Sequence, residues 1–234
     1  MDARKTSDYA KEAYREGQIL YNSRGDRIRL EKIVKLVGQN NKILDIGCYN
    51  GTLGSKFREM NNEVYGIEIN QQVAELAKKK GIIVKVQDIE SKFDFKSDFF
   101  DVVFAGEVIE HIVDTDFFID EIKRVLKPNG ILILTTPNTA SLGRRLLLLM
   151  GRNPILEASF TYPVNSTSGH LRYFTKDLLL NFLKYKGFEI IELTSDVVNF
   201  VSSGKISSKF LADILPTIGR DLIVKAKKMS KTFR

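Results

Sequence analysis

The sequence predicts an α/β fold: a doubly wound, mostly parallel seven-stranded sheet with helices on both faces and an antiparallel strand at one edge. Three observations predict it. Short apolar stretches alternate with amphipathic helical ones through the first two thirds of the chain. Connections between them are short, as right-handed crossovers allow. Two further strands follow the final helix with no full helix between them, the pattern of an antiparallel pair. No internal repeat competes with this reading.

In chain order, residues 8–37 read as two helical pieces broken near Asn22-Ser23-Arg24-Gly25, the second striped by Leu30, Ile33, Val34 and Val37. Residues 1–41 are expected to form an N-terminal helical cap. Residues 43–46 are the first strand, followed by a glycine turn, Gly47 to Gly51, and a helix through Leu53, Phe57 and Met60. A second strand, 63–68, ends in an acid. Asn70 opens a helix with Val73, Leu76 and Ala77 inward, closed by Gly81. Strands follow at 82–86 and 101–105. A helix through Phe118, Ile122, Val125 and Leu126 is stopped by Pro128-Asn129-Gly130, and 131–135 is the fifth strand. Thr175 caps a helix with Leu178, Leu179, Phe182 and Leu183, ended by Gly187. Residues 188–193 and 221–226 complete the sheet. Segments 140–173 and 195–219 break the rhythm and are expected to cover an acceptor site. The whole chain, 1–234, is expected to be one domain with a basic tail at 227–234.

The bulk numbers fit this reading. The chain has 234 residues, 43% hydrophobic and 28% charged, an ordinary globular composition. No apolar run approaches the ~20 residues that span a bilayer. The N-terminal residues lack a signal-peptide pattern. The single cysteine, Cys48, excludes an internal disulfide framework and a cysteine-rich zinc site. A soluble, cytoplasmic protein is expected. The net charge of +7 draws partly on an acid-free KAKKMSKTFR at the C-terminus, read as a solvated basic tail. DNA is not an expected partner. RNA is disfavoured, because no RNA-binding module flanks the sheet.

The acids carry the functional signal. Asp45, Glu68, Asp88 and Glu107 each end a successive predicted strand, and in an open parallel sheet those ends line one crevice. The glycine turn lets a ligand approach the backbone. Asp45 makes that turn a poor host for phosphate and a good one for an ammonium group. Glu68 follows Asp45 at close to the ~20-residue offset at which an acid bonds a ribose hydroxyl. Asp88 can accept from an adenine amino group, and Ile89 can pack on the ring. A ligand with a ribose, an adenine and a cationic amino-acid end satisfies the set. Cys48, inside the turn, reads as a small buried residue.

The pieces LDIGCYNG, YGIEIN, QDIE, FDVVFAGEVIEHI, LKPNGILILTTPN and HLRYFTKDLLLNFLKYKGFEIIE, spread over residues 42–194, resemble class I S-adenosylmethionine-dependent methyltransferases. Within that class they are most similar to the ubiquinone-biosynthesis O-methyltransferase group (methyltransferase types 11, 12 and 23). The resemblance implies a Rossmann-like sheet. It also implies a cofactor site of Asp45, Gly47, Cys48, Gly51, Glu68, Ile69, Asp88, Ile89 and Glu107, with Glu107 near the reactive sulfonium. A nicotinamide dehydrogenase expects Gly-x-Gly-x-x-Gly, whereas this chain has Gly47-x-x-x-Gly51-x-x-Gly54.

Two histidines complete the expected chemistry. His111 and His170 are read as loop residues at the crevice, available as general bases for a hydroxyl acceptor. Glu107, Glu110 and His111 fall at i, i+3 and i+4, one side of a helical turn. With His170 they form an expected divalent-cation set whose mixed oxygen and nitrogen donors suit Mn²⁺, Fe²⁺ or Zn²⁺ better than Mg²⁺. Similar Glu-x-x-Glu-His arrangements occur in relatives that lower an acceptor hydroxyl's pKa with a metal.

The expected reaction is O-methylation of a small-molecule, sugar or glycan, or lipid-linked acceptor. The alternatives are an RNA 2′-O-methyltransferase and a non-catalytic S-adenosylmethionine-binding module. Tyr162, Arg172 and Tyr173 are expected acceptor contacts. Arg144-Arg145 beside residues 146–150 reads either as an ordinary packed helix or as an amphipathic contact with a membrane or lipid-linked substrate.

Overall fold

The computed structural model describes residues 23–155, 169–200 and 206–230. The first predicted helical piece, Tyr162 and residues 231–234 lie outside them. Helix α1 (Arg24–Val37) begins at a reciprocal cap: the Ser23 hydroxyl accepts from the Asp26 amide, and the Asp26 carboxylate accepts from the Ser23 amide, each at 3.0 Å. Then come β1 (Lys42–Ile46), α2 (Thr52–Arg58), β2 (Glu63–Glu68), α3 (Gln71–Lys79), β3 (Ile83–Val86) and β4 (Phe100–Gly106). A 3₁₀ turn at Ile109–His111 leads into α4 (Thr115–Val125), β5 (Leu126–Pro137), α5 (Leu142–Leu149) and α6 (Lys176–Tyr185). The chain continues through β6 (Phe188–Thr194), β7 (Val198–Asn199), β8 (Ser207–Ser208), α7 (Lys209–Ile214) and β9 (Asp221–Lys228). Asn70 and Thr175 cap α3 and α6 as expected.

The seven-stranded sheet has the order β3-β2-β1-β4-β5-β9-β6. Strands β1 to β5 are parallel, with Asp45 beside Gly66 and Phe104 in register. Both faces are covered, so the strands read as continuous apolar runs. On one face Ile33, Val37, Leu53, Phe57, Ala74 and Ala77 pack on Ile43 and Ile133. On the other, Phe118, Ile119, Ile122, Leu179 and Leu183 pack on Leu44, Ile46 and Leu134. Chain order reverses between β1 and β4, so the crevice outside their carboxyl ends is the expected ligand position.

Three features differ in detail from the sequence reading. Strand β5 starts at Leu126, directly after α4, because residues 127–130 form a bulge between the pairs Phe100–Leu126 and Val102–Ile131. A bulge tolerates Pro128, which a regular central strand would not. The antiparallel pair is β6 and β9, with β6 at the edge and β9 inserted between β5 and β6, antiparallel to both. A short β7–β8 ribbon, which carries no sequence signal, forms in the second irregular segment. Among the described residues no helix is long and apolar enough to cross a membrane.

Candidate functional site

The glycine turn is built by backbone geometry. Gly47 takes φ +70°, and the amides of Gly47 and Cys48 both donate to the Ile67 carbonyl, at 2.9 and 3.0 Å. Gly51 takes φ +72°, and a Cβ there would lie 2.6 Å from Ile82 Cδ1 and 2.9 Å from Ala77 Cα. The turn therefore excludes a side chain at Gly51 twice, by conformation and by contact.

Asp45 is 3% exposed, and its Oδ2 has no hydrogen-bond partner among the described residues. Burial, with Glu68 adding to it, pushes its carboxyl up to about 8. Glu68 is held differently. Its Oε2 accepts from the Tyr49 amide at 3.1 Å and its Oε1 from the Asn70 amide at 2.8 Å. Burial raises its pKa, and these backbone donors oppose the rise. One carboxylate is thus pinned in place, while its neighbour keeps an oxygen that no described residue satisfies and that an incoming donor would.

The next loop lies alongside, because the Gln87 amide donates to the Glu68 carbonyl at 3.2 Å. Asp88 there accepts from the Glu90 amide at 2.9 Å, and Ile69, Asp88 and Ile89 are all half-buried. Cys48 is spent on packing. A Cβ on Gly66 would sit 2.4 Å from Cys48 Sγ, so the thiol fills the space that glycine leaves. Burial among Asp45 and Glu68 pushes that thiol far up, which makes it unreactive.

Glu107 does not share a helical face with Glu110 and His111. It takes φ +56°, which turns the chain before the 3₁₀ turn begins. Its Oε1 accepts from Thr135 Oγ1 at 2.8 Å, and its Oε2 pairs with Arg29 Nη1 at 2.9 Å. Arg29 also pairs with Asp221 at 3.0 Å, and Arg220 joins Asp196 and Asp26 at 2.6 and 2.7 Å. Burial raises the Glu107 pKa against the pull of Arg29. Arg29 is a residue that sequence reasoning misses. It sits on α1 next to an apolar stripe, and no local spacing ties it to Glu107.

The remaining three expected metal ligands do come together. One donor atom from each of Glu110, His111 and His170 lies within 4.8 Å of the others. The two imidazoles meet edge to face at 4.7 Å. Backbone bonds from the Leu171 and Arg172 amides to the Glu110 carbonyl, at 2.8 and 3.0 Å, hold the two segments together. His111 Nδ1 lies 3.2 Å from the Gly169 carbonyl, which can only accept, so Nδ1 carries the proton and Nε2 keeps its lone pair. Burial lowers the His111 pKa and favours this neutral form. Glu110 is 1% exposed; its Oε2 accepts from Thr136 Oγ1 at 3.0 Å, and its Oε1 has no partner among the described residues. An orphaned buried carboxylate oxygen beside two imidazoles fits a divalent cation of the Mn²⁺, Fe²⁺ or Zn²⁺ kind. The fourth expected ligand, Glu107, is taken instead by Arg29 and Thr135. Arg172, an expected acceptor contact, directs its guanidinium to the Ile112 and Val113 carbonyls.

Comparison with known proteins identifies the family. The methyltransferase domain profile matches residues 21–193. The chain belongs to the methyltransferase domain family. Over 106 residues the domain is 39% identical to a ubiquinone biosynthesis O-methyltransferase of Pelagibacter ubique, covering 43% of each chain. Over 114 residues it is 36% identical to the mitochondrial ubiquinone biosynthesis O-methyltransferase of Mus musculus, covering 45% of this chain and 31% of that one. The matched region thus spans less than half the length of these curated relatives. Among solved structures, a methyltransferase from Methanosarcina mazei superposes with a TM-score of 0.63 at 21% identity, over 86% of this chain and 98% of that one. One from Mesorhizobium loti gives 0.60 at 16% identity, over 87% and 98%. These two confirm the fold of the methyltransferase domain.

Proposed function

We propose that the protein methylates a hydroxyl oxygen, with S-adenosylmethionine as donor. The observation that carries this reading is the pair of buried carboxylates at the sheet's switch point, Glu68 pinned by backbone amides and Asp45 with an unsatisfied oxygen. The donor supplies a methyl group on a positively charged sulfur, ready for in-line displacement. Asp45 receives the ammonium end, and burial makes that charge-assisted contact strong. Glu68 accepts the ribose hydroxyls, Asp88 accepts the adenine amino group, and Ile89 packs against the ring. Glu107, fixed by Arg29 and Thr135, places negative charge on the sulfonium side of the crevice.

The acceptor hydroxyl must lose a proton as its oxygen bonds to carbon and the carbon–sulfur bond breaks. His111 Nε2 is suited to take it. Glu110, His111 and His170 are also the residues that would hold a divalent cation, which when bound lowers the pKa of an acceptor hydroxyl. Oxygen as the methylated atom is further supported by the names of the curated relatives. An acceptor that is small and apolar, or linked to a lipid, suits the exposed Leu148 and Leu149 of α5, the helix that follows the carboxyl end of β5.

Calorimetric titration with S-adenosylmethionine tests the reading. Binding by the wild type, lost in Asp45→Ala and Glu68→Ala variants that still fold, is the expected result. A folded wild type that binds none would overturn it. Turnover of a hydroxyl acceptor that survives chelator unchanged would remove the cation and leave His111 as base.

A further inference from the structure

Acids outnumber cations around the crevice. Arg29 and Arg220 are shared among four carboxylates, Asp26, Glu107, Asp196 and Asp221, which leaves the cluster two negative charges in excess when all are ionised. Arg29 Nη1 lies 2.9 Å from Glu107 Oε2 and 3.0 Å from Asp221 Oδ2. Arg220 Nη2 lies 2.6 Å from Asp196, 2.7 Å from Asp26 and 3.2 Å from Asp221. Neither guanidinium is therefore free to neutralise one carboxylate fully.

Glu107 is the member of the cluster most open to a ligand. Its side chain is 31% exposed, against 18% for Asp26, 5% for Asp221 and 0% for Asp196. It stands beside the glycine turn, because a Cβ on Gly47 would lie 3.2 Å from Cγ2 of Val108, the residue that follows Glu107. Two more carboxylates border that turn. Glu68 is held by backbone amides, Asp45 keeps an unsatisfied oxygen, and neither has a cationic side chain as partner among the described residues. A crevice of this kind favours a ligand whose own charge is positive.

Methyl transfer changes that charge. S-adenosylmethionine carries a carboxylate, an ammonium and a sulfonium, and is a net cation. As the acceptor oxygen bonds to carbon, the carbon–sulfur bond breaks, sulfur keeps the electron pair and the hydroxyl proton passes to the base. The product, S-adenosylhomocysteine, keeps the adenine, the ribose and the amino-acid end but has no net charge. Contacts from Asp45, Glu68 and Asp88 are common to donor and product, so they cannot tell the two apart. Discrimination is a difference of affinities. Here it must come from negative charge that acts on the sulfur, and such charge acts more strongly in a part-buried crevice than in water.

We infer that Glu107, backed by the excess of acid behind it, makes the crevice prefer the sulfonium donor to its neutral thioether product. The used cofactor then leaves readily, and product inhibition is weak. Glu107 is the specificity-determining residue. Arg29 is a positioning residue: bound at once to Glu107 and Asp221, it fixes the Glu107 carboxylate without cancelling its charge. The inference rests on the function proposed above, which supplies the two ligands.

Calorimetric titration of the full chain with three ligands tests it. They are S-adenosylmethionine, S-adenosylhomocysteine and an analogue with a protonated amine in place of the methylsulfonium. The wild type is expected to bind both cationic ligands roughly tenfold or more tightly than the thioether. Glu107→Gln keeps the shape of the side chain and removes its charge. It should weaken both cationic ligands by roughly tenfold and the thioether by less than about twofold. A merely structural role for Glu107 would weaken all three alike, and the melting temperature of the variant checks that it folds. If it does not fold, the wild-type comparison still decides. A wild type that binds the thioether as tightly as the donor, or a folded Glu107→Gln that keeps the preference for the cationic ligands, would overturn the inference and leave the proposed function standing. Protein that folds and binds none of the three would overturn both.

Discussion

Replacing Asp45 by asparagine should make the ligand-free protein more stable and the cofactor bind more weakly. The carboxyl group of Asp45 is pushed up to about 8 from an ordinary 3.8, first by burial and then by Glu68. Between those two values the folded protein holds a proton that the unfolded chain has released. Stability tied to this group is therefore full below the lower value and declines as pH rises toward the upper one. Near neutrality about three units separate the working pH from the unfolded value, and at ~1.4 kcal/mol per unit the penalty reaches about 4 kcal/mol at most. Asparagine has the same shape and no charge, so it should recover part of this, on the order of 1–3 kcal/mol at about pH 7.5 and little at about pH 4. For a chain of this length that corresponds to a melting temperature higher by roughly 2–4 °C per kcal/mol. Urea denaturation at both pH values, with calorimetric titration of S-adenosylmethionine in parallel, measures the two effects. Cofactor affinity should fall by roughly tenfold or more, as a charge-assisted contact to the ammonium is lost. An Asp45→Asn variant no more stable than wild type at the higher pH, or with an unchanged pH slope, would refute the assignment of a buried carboxyl with a strongly raised pKa to Asp45.

Other perturbations probe the surrounding framework. Gly51→Ala places a Cβ against Ile82 and Ala77 at positive φ, and should cost about 2–3 kcal/mol in chemical denaturation. Arg29→Met strips the cation from Glu107 and Asp221 and should cost about 3 kcal/mol, part of which the Arg29→Met, Glu107→Gln double variant regains in the same assay. Cys48 should ignore an aromatic disulfide reagent in buffer and react fully in denaturant; rapid modification of folded protein would contradict its place against Gly66.

Much of this is legible in the order of residues. The alternation of apolar strands with helices, and an acid at the end of each of four strands, locates the crevice, because both signals are periodic and local. The meeting of His111 with His170 is legible only through the resemblance, since a long stretch of chain separates them. Sequence misplaces the start of β5 because Pro128 ends a helix and starts a bulge equally well; the neighbouring strand decides between them. Glu107 is misassigned for a related reason. The spacing of Glu107, Glu110 and His111 assumes a helix, and a single residue at φ +56° cancels it. Arg29 cannot be found by pattern at all, since its partners Glu107 and Asp221 come from distant strands that only the finished sheet brings side by side.

The insertion of β9 between β5 and β6 has a consequence for how the protein comes into being. As the chain emerges from the ribosome, β1 to β5 can pair in succession, but β5 keeps an open edge until residues 221–228 arrive. The same arrival delivers Asp221 to Arg29, and with it the charge balance around Glu107. A nascent chain that stalls before β9 would thus present an unpaired apolar strand next to an incomplete candidate crevice, a natural target for chaperones. Completion of the charge cluster around Glu107 and pairing of the free edge of β5 are one event, set by the arrival of a single strand.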